Sequence, residues 1–157
     1  MAQIELTIIF PIFNEQETIK ETLLEWKNTL DKLQIKYEII LAEDGSTDNT
    51  KKILNDLLIS NRDLFVSNIE EKKRGYANAI RSSIKIAKGK YILNVDSDGQ
   101  CDPKDFINFW VKRDLLENGI IIGHRLNRKD SLQRLLMSKF FLILHRILFF
   151  SKVKDPS

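Results

Sequence analysis

Cysteine is almost missing from this chain. Cys101 is the only one among 157 residues, so an internal disulfide and a cysteine metal cluster are both excluded. That usage favours a reducing compartment. Histidine is nearly as scarce, and His124 and His145 lack partners at metal-ligand spacing, so both read as structural. No apolar run approaches the ~20 residues a helix needs to cross a bilayer. The opening MAQIELTIIFPIF has no basic lead before its short apolar run, so it reads as a first strand and not as a signal peptide. The six glycines and three prolines are scattered; there is no low-complexity linker and no internal repeat. Neither Cys101 nor any serine sits in a nucleophile arrangement.

What remains is an ordinary soluble composition, 43% hydrophobic and 30% charged, with length enough for one domain and a real core. The net charge of +3 hides an asymmetry. Residues 1–123 carry 17 Lys/Arg against 20 Asp/Glu, whereas residues 124–157 carry 8 against 2. The basic character is local, which points to an anionic partner near the C-terminal end and away from a general nucleic-acid binder.

Apolar, β-branched runs at 5–10, 37–42, 64–69 and 91–95 read as strands, with a fifth short one at 119–123, GIIIG. Helical spacing lies between them. Asn14 and Glu17 form a plausible capping box for a helix carrying Ile19, Leu23, Trp26 and Leu30. Further helices are predicted at 48–60, after Gly75 until Gly89, and from Pro103 to about Glu117. Such alternation predicts an α/β fold, a mostly parallel sheet with helices on both faces and ligands at the carboxyl ends of the strands. Residues 131–151 form an apolar segment interspersed with Arg134, Lys139 and Arg146. It reads either as an amphipathic helix lying on a membrane surface or as a core helix whose partner lies elsewhere. The expected division is 1–130 and 131–157.

The strongest chemical signal is YILNVDSDGQCD, a buried strand running into Asp96 and Asp98. Positions two apart share a face, and two like charges on one side call for a cation between them. Hard oxygen ligands suit Mg²⁺ or Mn²⁺, which most often serve phosphate, so the pair points to an enzyme handling a nucleoside diphosphate. AEDGSTDNT, residues 42–50, is explained by a turn and a helix cap, or by Asp44 accepting from a base or ribose. Lys72-Lys73-Arg74-Gly75 is a solvated charge run or a loop holding cations near the diphosphate, with Lys73 and Arg74 indistinguishable. Arg125, Arg128 and Arg134 cluster just past a predicted strand end, as phosphate-binding guanidinium groups do.

In order, PIFNEQETI, LAEDGSTDNT, RGYANAIRSSIKIAKGKYILNVDSDGQ and GHRLNRKDSLQR resemble the family 2 glycosyltransferases of the GT-A fold, over about residues 4–155. The polyprenyl-phosphate sugar transferases, the dolichyl-phosphate mannose synthase group, are the most similar. The resemblance implies that Pro11, Phe13, Glu15, Ala42 and Asp44 line a nucleotide pocket, with Gly75 and Ser97 beside it. It implies that Asp96, Asp98 and Gln100 hold the metal, and that Arg125, Arg128 and Arg134 hold phosphates, Asp96, Asp98, Arg125 and Arg128 being the catalytic set.

A lipid-phosphate acceptor also follows from chemistry. After Gly123 the only acids are Asp130 and Asp155, neither in an evident general-base motif. A phosphomonoester, with a second pKa near ~6, is largely dianionic at neutral pH and can attack unaided. The expectation is a metal-dependent, inverting transferase at the cytoplasmic face of a membrane, using a UDP- or GDP-linked sugar and polyprenyl phosphate. A transferase acting on a saccharide hydroxyl, a nucleotide-binding module without turnover and a haloacid-dehalogenase-type phosphatase are the rivals. Two features depart from the family pattern: Glu43-Asp44 replaces two aspartates, and the chain stops at Ser157, where the resemblance implies a further Gly-Phe-Arg/Lys-Leu segment. A shortened chain is therefore expected.

Overall fold

β1 (Leu6–Ile12) is LTIIFPI, and all of it is buried. A central strand of a parallel sheet is covered on both faces, which is why its sequence is apolar without alternation. In the computed structural model, which describes residues 3–115, 119–123 and 132–149, it pairs in parallel with β2 (Tyr37–Asp44) and β4 (Tyr91–Asn94). β3 (Phe65–Glu70) extends the sheet beyond β2, giving the order β3-β2-β1-β4.

Three helices cover the sheet. α1 (Ile19–Lys32) turns Ile19, Leu23, Trp26 and Leu30 inward, and α2 (Thr50–Ser60) adds Leu54 and Leu57. These pack on Leu6, Ile8, Phe10 and Ile12, the first face of β1. Trp26 stands edge-on to Phe10 and to Phe106, each pair with ring centroids 6.0 Å apart. On the other face, Ala79 of α3 (Tyr76–Ile86) meets Ile9, Ile40 and Ala42. Helices on both faces of a parallel sheet are the expected architecture.

Pro11 lies inside β1, not after it, opposite Ala42. Its tolerance there has a simple cause. The Ile9 carbonyl accepts from the Val95 amide, so by alternation the polar edge of Pro11 also faces the β4 side, beyond that strand's last residue. No ladder bond is lost to the missing N–H, and the Pro11 carbonyl accepts from the Ser97 hydroxyl at 2.8 Å.

Several expected boundaries shift. α1 begins at Ile19 with Thr18 as its cap residue, so Asn14 and Glu17 form no capping box. Asn14 adopts a left-handed φ of 56° and spends its polar groups on another loop. The helix expected after Pro103 is broken into a 3₁₀ turn (Pro103–Asp105), α4 (Phe106–Trp110) and a second 3₁₀ turn (Arg113–Leu115). There the Trp110 carbonyl is capped by the Arg113 guanidinium at 2.8 Å instead of continuing the helix.

The chain divides into two compact units, Met1–Leu115 and Leu116–Ser157. In the second, residues 119–123 carry no regular secondary structure, so the predicted fifth strand is not formed. Three isoleucines between glycines offer too few ladder bonds to hold a strand by themselves. α5 (Leu132–Phe149) is a helix, with Met137 and Phe140 about 70% exposed. No helix among the described residues is long and apolar enough to cross a membrane.

Candidate functional site

The carboxyl ends of all four strands feed polar loops, and the first two loops are tied to each other. The Thr47 amide donates to Asn14 Oδ1 at 2.9 Å, and the Asn14 amide donates to Ser46 Oγ at 2.9 Å. The Glu15 amide donates to Thr50 Oγ1 at 2.9 Å, while Glu15 Oε2 accepts from Thr18 at 3.0 Å. Asp48 accepts from the Thr50 amide at 2.9 Å and from the Gln16 amide at 3.4 Å. Burial pushes the Asp48 carboxyl up, but hydrogen bonds from Thr50 and Gln16 outweigh it and leave it below the usual carboxylate range. Beneath this seam Glu43 is fully buried. Its Oε1 accepts from the Ser46 amide; its Oε2 has no hydrogen-bond partner, the Lys51 ammonium standing 3.8 Å away.

Asp44 performs a different task. Its Oδ1 accepts from the Arg74 amide at 2.7 Å and its Oδ2 from the Gly75 amide at 2.8 Å, a carboxylate clamp on the N-terminus of α3. Gly45 allows the close approach: a Cβ there would lie 2.4 Å from the Lys73 amide nitrogen, and its φ is +76°. So the Asp-Gly pair is a dock for the 72–75 loop. That loop separates the two cations the sequence left equal. Arg74 pairs with Glu70, whereas the Lys73 ammonium sits 3.5 Å from the ring centroid of Phe13.

β4 stops at Asn94, so Asp96 and Asp98 stand on a turn and not on the strand whose alternation suggested a shared face. Ser97 between them is buried against Pro11, which fixes the turn. Asp96 Oδ1 accepts from the Tyr76 hydroxyl at 3.3 Å, and that hydroxyl accepts from Asn94 Nδ2 at 3.0 Å. Burial raises the Tyr76 phenol above its ordinary pKa; the Asn94 bond opposes this, and the Asp96 charge adds to it. Asp98 Oδ1 accepts from the Gln100 amide at 3.0 Å. Each carboxylate thus has one oxygen bonded and one oxygen without a described partner. Two hard oxygen donors fit Mg²⁺ or Mn²⁺, which keep most of their sphere for water and phosphate. Among the described residues no group of three or more His, Cys, Asp or Glu could hold an ion unaided, so a phosphate ligand would have to complete the site.

Residues 7–155 match the model of glycosyl transferase family 2. The chain belongs to this family. It is 31% identical over 131 residues to the dodecaprenyl-phosphate galacturonate synthase of Rhizobium johnstonii, an alignment covering 82% of this chain and 38% of that one. It is 30% identical over 126 residues to the undecaprenyl-phosphate 4-deoxy-4-formamido-L-arabinose transferase of Pseudomonas fluorescens, covering 80% and 37%. The chain therefore spans less than two-fifths of the length of these curated relatives. Among solved structures it resembles the mannosyltransferase PcManGT of Pyrobaculum calidifontis in complex with GDP-Man and Mn²⁺, with a TM-score of 0.54 and 26% identity over 62% of this chain and 28% of that one. The glucosyl-3-phosphoglycerate synthase of Mycobacterium tuberculosis, at 22% identity and a TM-score of 0.62 over 97% of this chain and 52% of that one, shows the shared fold. The GT-A class expected from the sequence is borne out.

Within this family 2 domain, Pro11, Phe13, Glu15, Ala42, Asp44, Gly75, Asp96, Ser97 and Asp98 all lie at the carboxyl ends of the strands or on the loops that follow. Gln100 follows on the same loop but lines a cleft of about 450 Å³ with Glu25, Asn28 and Lys32 of α1, whereas Asp96 is held from α3. Arg125 and Arg128 lie outside the described residues, as does the side chain of Arg134. Sequence reasoning missed Tyr76 and Asn94. No one-dimensional pattern links residue 76 to residue 96; only the fold, which brings the Tyr76 hydroxyl at the start of α3 to Asn94 and Asp96, does.

Proposed function

We propose that this family 2 domain transfers a sugar from a nucleoside diphosphate donor to a polyprenyl phosphate. The observation that carries the reading is the turn after β4, where Asp96 and Asp98 each keep one carboxylate oxygen without a described partner at the carboxyl end of the sheet. The polyprenyl-phosphate relatives at 31% and 30% identity support the acceptor class.

In this reading Asp96 and Asp98 would hold Mg²⁺ or Mn²⁺ together with the donor phosphates, while Gln100, which lines the cleft beside α1, is left out of the ligand set. The ion supplies positive charge to the diphosphate leaving group. Phe13 and Glu15 face the nucleoside, Pro11 and Ala42 are buried in the sheet and only support that end of it, and Asp44 acts through the 73–75 loop that it clamps. Arg134 is assigned to a phosphate of donor or acceptor, and Arg125 and Arg128 to the acceptor phosphate. One oxygen of that phosphate attacks the anomeric carbon as the bond to the diphosphate breaks, so configuration inverts in a single displacement. No general base is required, because the attacking oxygen carries no proton at neutral pH. α5 lies on the lipid surface from which the acceptor projects, at the cytoplasmic face.

Calorimetric titration with UDP-glucose and GDP-mannose, in Mn²⁺ and in EDTA, tests the donor site. The expected outcome is Mn²⁺-dependent binding of one donor, weakened at least about tenfold by Asp98→Ala with thermal unfolding unchanged. Equal affinity in EDTA, or an unaffected Asp98→Ala, would remove the metal assignment. Transfer of radiolabelled sugar to polyprenyl phosphate, against free saccharides, then tests the acceptor.

A further inference from the structure

On the 72–75 loop Lys72 and Lys73 both have no carboxylate partner among the described residues, and of these two it is Lys73 that lies over a ring. Among the described residues Glu70 is taken by Arg74, Glu43 faces Lys51, and both oxygens of Asp44 are spent on backbone amides. Lys73 makes no ion pair and instead rests its ammonium 3.5 Å from the Phe13 ring centroid. Its backbone is fixed, pressed against Gly45 and followed directly by the two clamped amides, so only the side chain is at liberty to move. Lys73 itself is exposed and Phe13 half-buried, and a cation over a ring at the surface is weakly held. The ring it covers stands just past the end of β1, where a flat base would stack.

We infer that Lys73 is the diphosphate contact of the donor site, parked on Phe13 when the site is empty and displaced from the ring by the incoming base. This rests on the nucleotide reading above and deepens it. Base and ammonium compete for one face of Phe13, and the exchange costs little because the lysine gains an anion as it loses the ring. A compact ammonium on a flexible stem suits that swing better than a guanidinium already paired, as Arg74 is. The arrangement favours nucleoside diphosphates over nucleosides: a nucleoside must evict the lysine with nothing to offer it.

The test compares Lys73→Met with wild type in titrations against UDP, GDP, uridine and guanosine in Mn²⁺, with Lys72→Met as the control in the same loop. Lys73→Met should lose about tenfold in affinity for the diphosphate while binding the matching nucleoside as well as or better than wild type. Lys72→Met should change neither. In the free protein the Lys73 ε-methylene protons should be shifted upfield by the ring current, and Phe13→Leu should abolish the shift. Equal losses for diphosphate and nucleoside, or no loss for either, would overturn the inference while leaving the donor site standing. If wild type bound no nucleotide at all, the reading beneath it would fall as well.

Discussion

Gly45 carries more of the site than its size suggests. It is held at φ +76°, and a Cβ would meet the backbone of Lys72 and Lys73 at 2.4 to 3.0 Å. Neither the strain nor the clash can be relieved by a side-chain rotation, because the obstacles are main-chain atoms. Gly45→Ala should therefore destabilise the domain by about 1–3 kcal/mol, read as a lower urea midpoint with an unchanged m-value. It should also weaken nucleotide binding, since the displaced loop carries Lys73. A variant as stable as wild type would show that the loop does not dock on Gly45 as described. The residue was visible in the sequence as an Asp-Gly turn; its partner was not, because Lys73 lies 28 positions away and no local pattern couples them.

At the scale of elements, four strands and the three helices covering them follow directly from the sequence, since burial writes apolar runs for β1 and β2 and helical spacing for α1. The departures have local causes that composition does not reveal. Asn14 resembled a helix cap because its residue type suits one, yet the structure uses it to join the first two rim loops. Asp48 belongs to the same seam, and its charge is favoured by the fold. A carboxyl whose folded pKa is depressed contributes stability above its unfolded value, near ~3.9, and loses it as pH falls through the lower folded value. Acid should therefore loosen the join between the start of α2 and the loop before α1. Asp48→Asn should unfold at a lower temperature than wild type at pH 7, with the gap narrowing below about pH 4. A gap that stayed constant across that range would mean that the carboxylate's charge contributes nothing there.

For the whole molecule, the distribution of charge and apolar surface is the remaining guide, and it points to α5. Leu136, Met137, Phe140, Ile143, Ile147 and Leu148 are all exposed, and at 100° per residue they fall within an arc of roughly 140° on one side of the helix. No acidic residue occurs between 132 and 149, while Arg134, Lys139 and Arg146 supply positive charge. An apolar stripe on a cationic helix partitions into the headgroup boundary of anionic bilayers, driven by buried area and by charge together. The two contributions separate experimentally. The chain should co-sediment with vesicles containing phosphatidylglycerol more strongly than with pure phosphatidylcholine, and raising salt from about 0.1 M to 1 M, which shortens the screening length from ~10 to ~3 Å, should weaken only the anionic preference. Phe140→Asp should reduce binding to both lipids, because it breaks the stripe and not the charge. Binding that ignored both the lipid charge and Phe140→Asp would leave the helix as a packing element, and the access of a lipid phosphate to the rim would need another explanation.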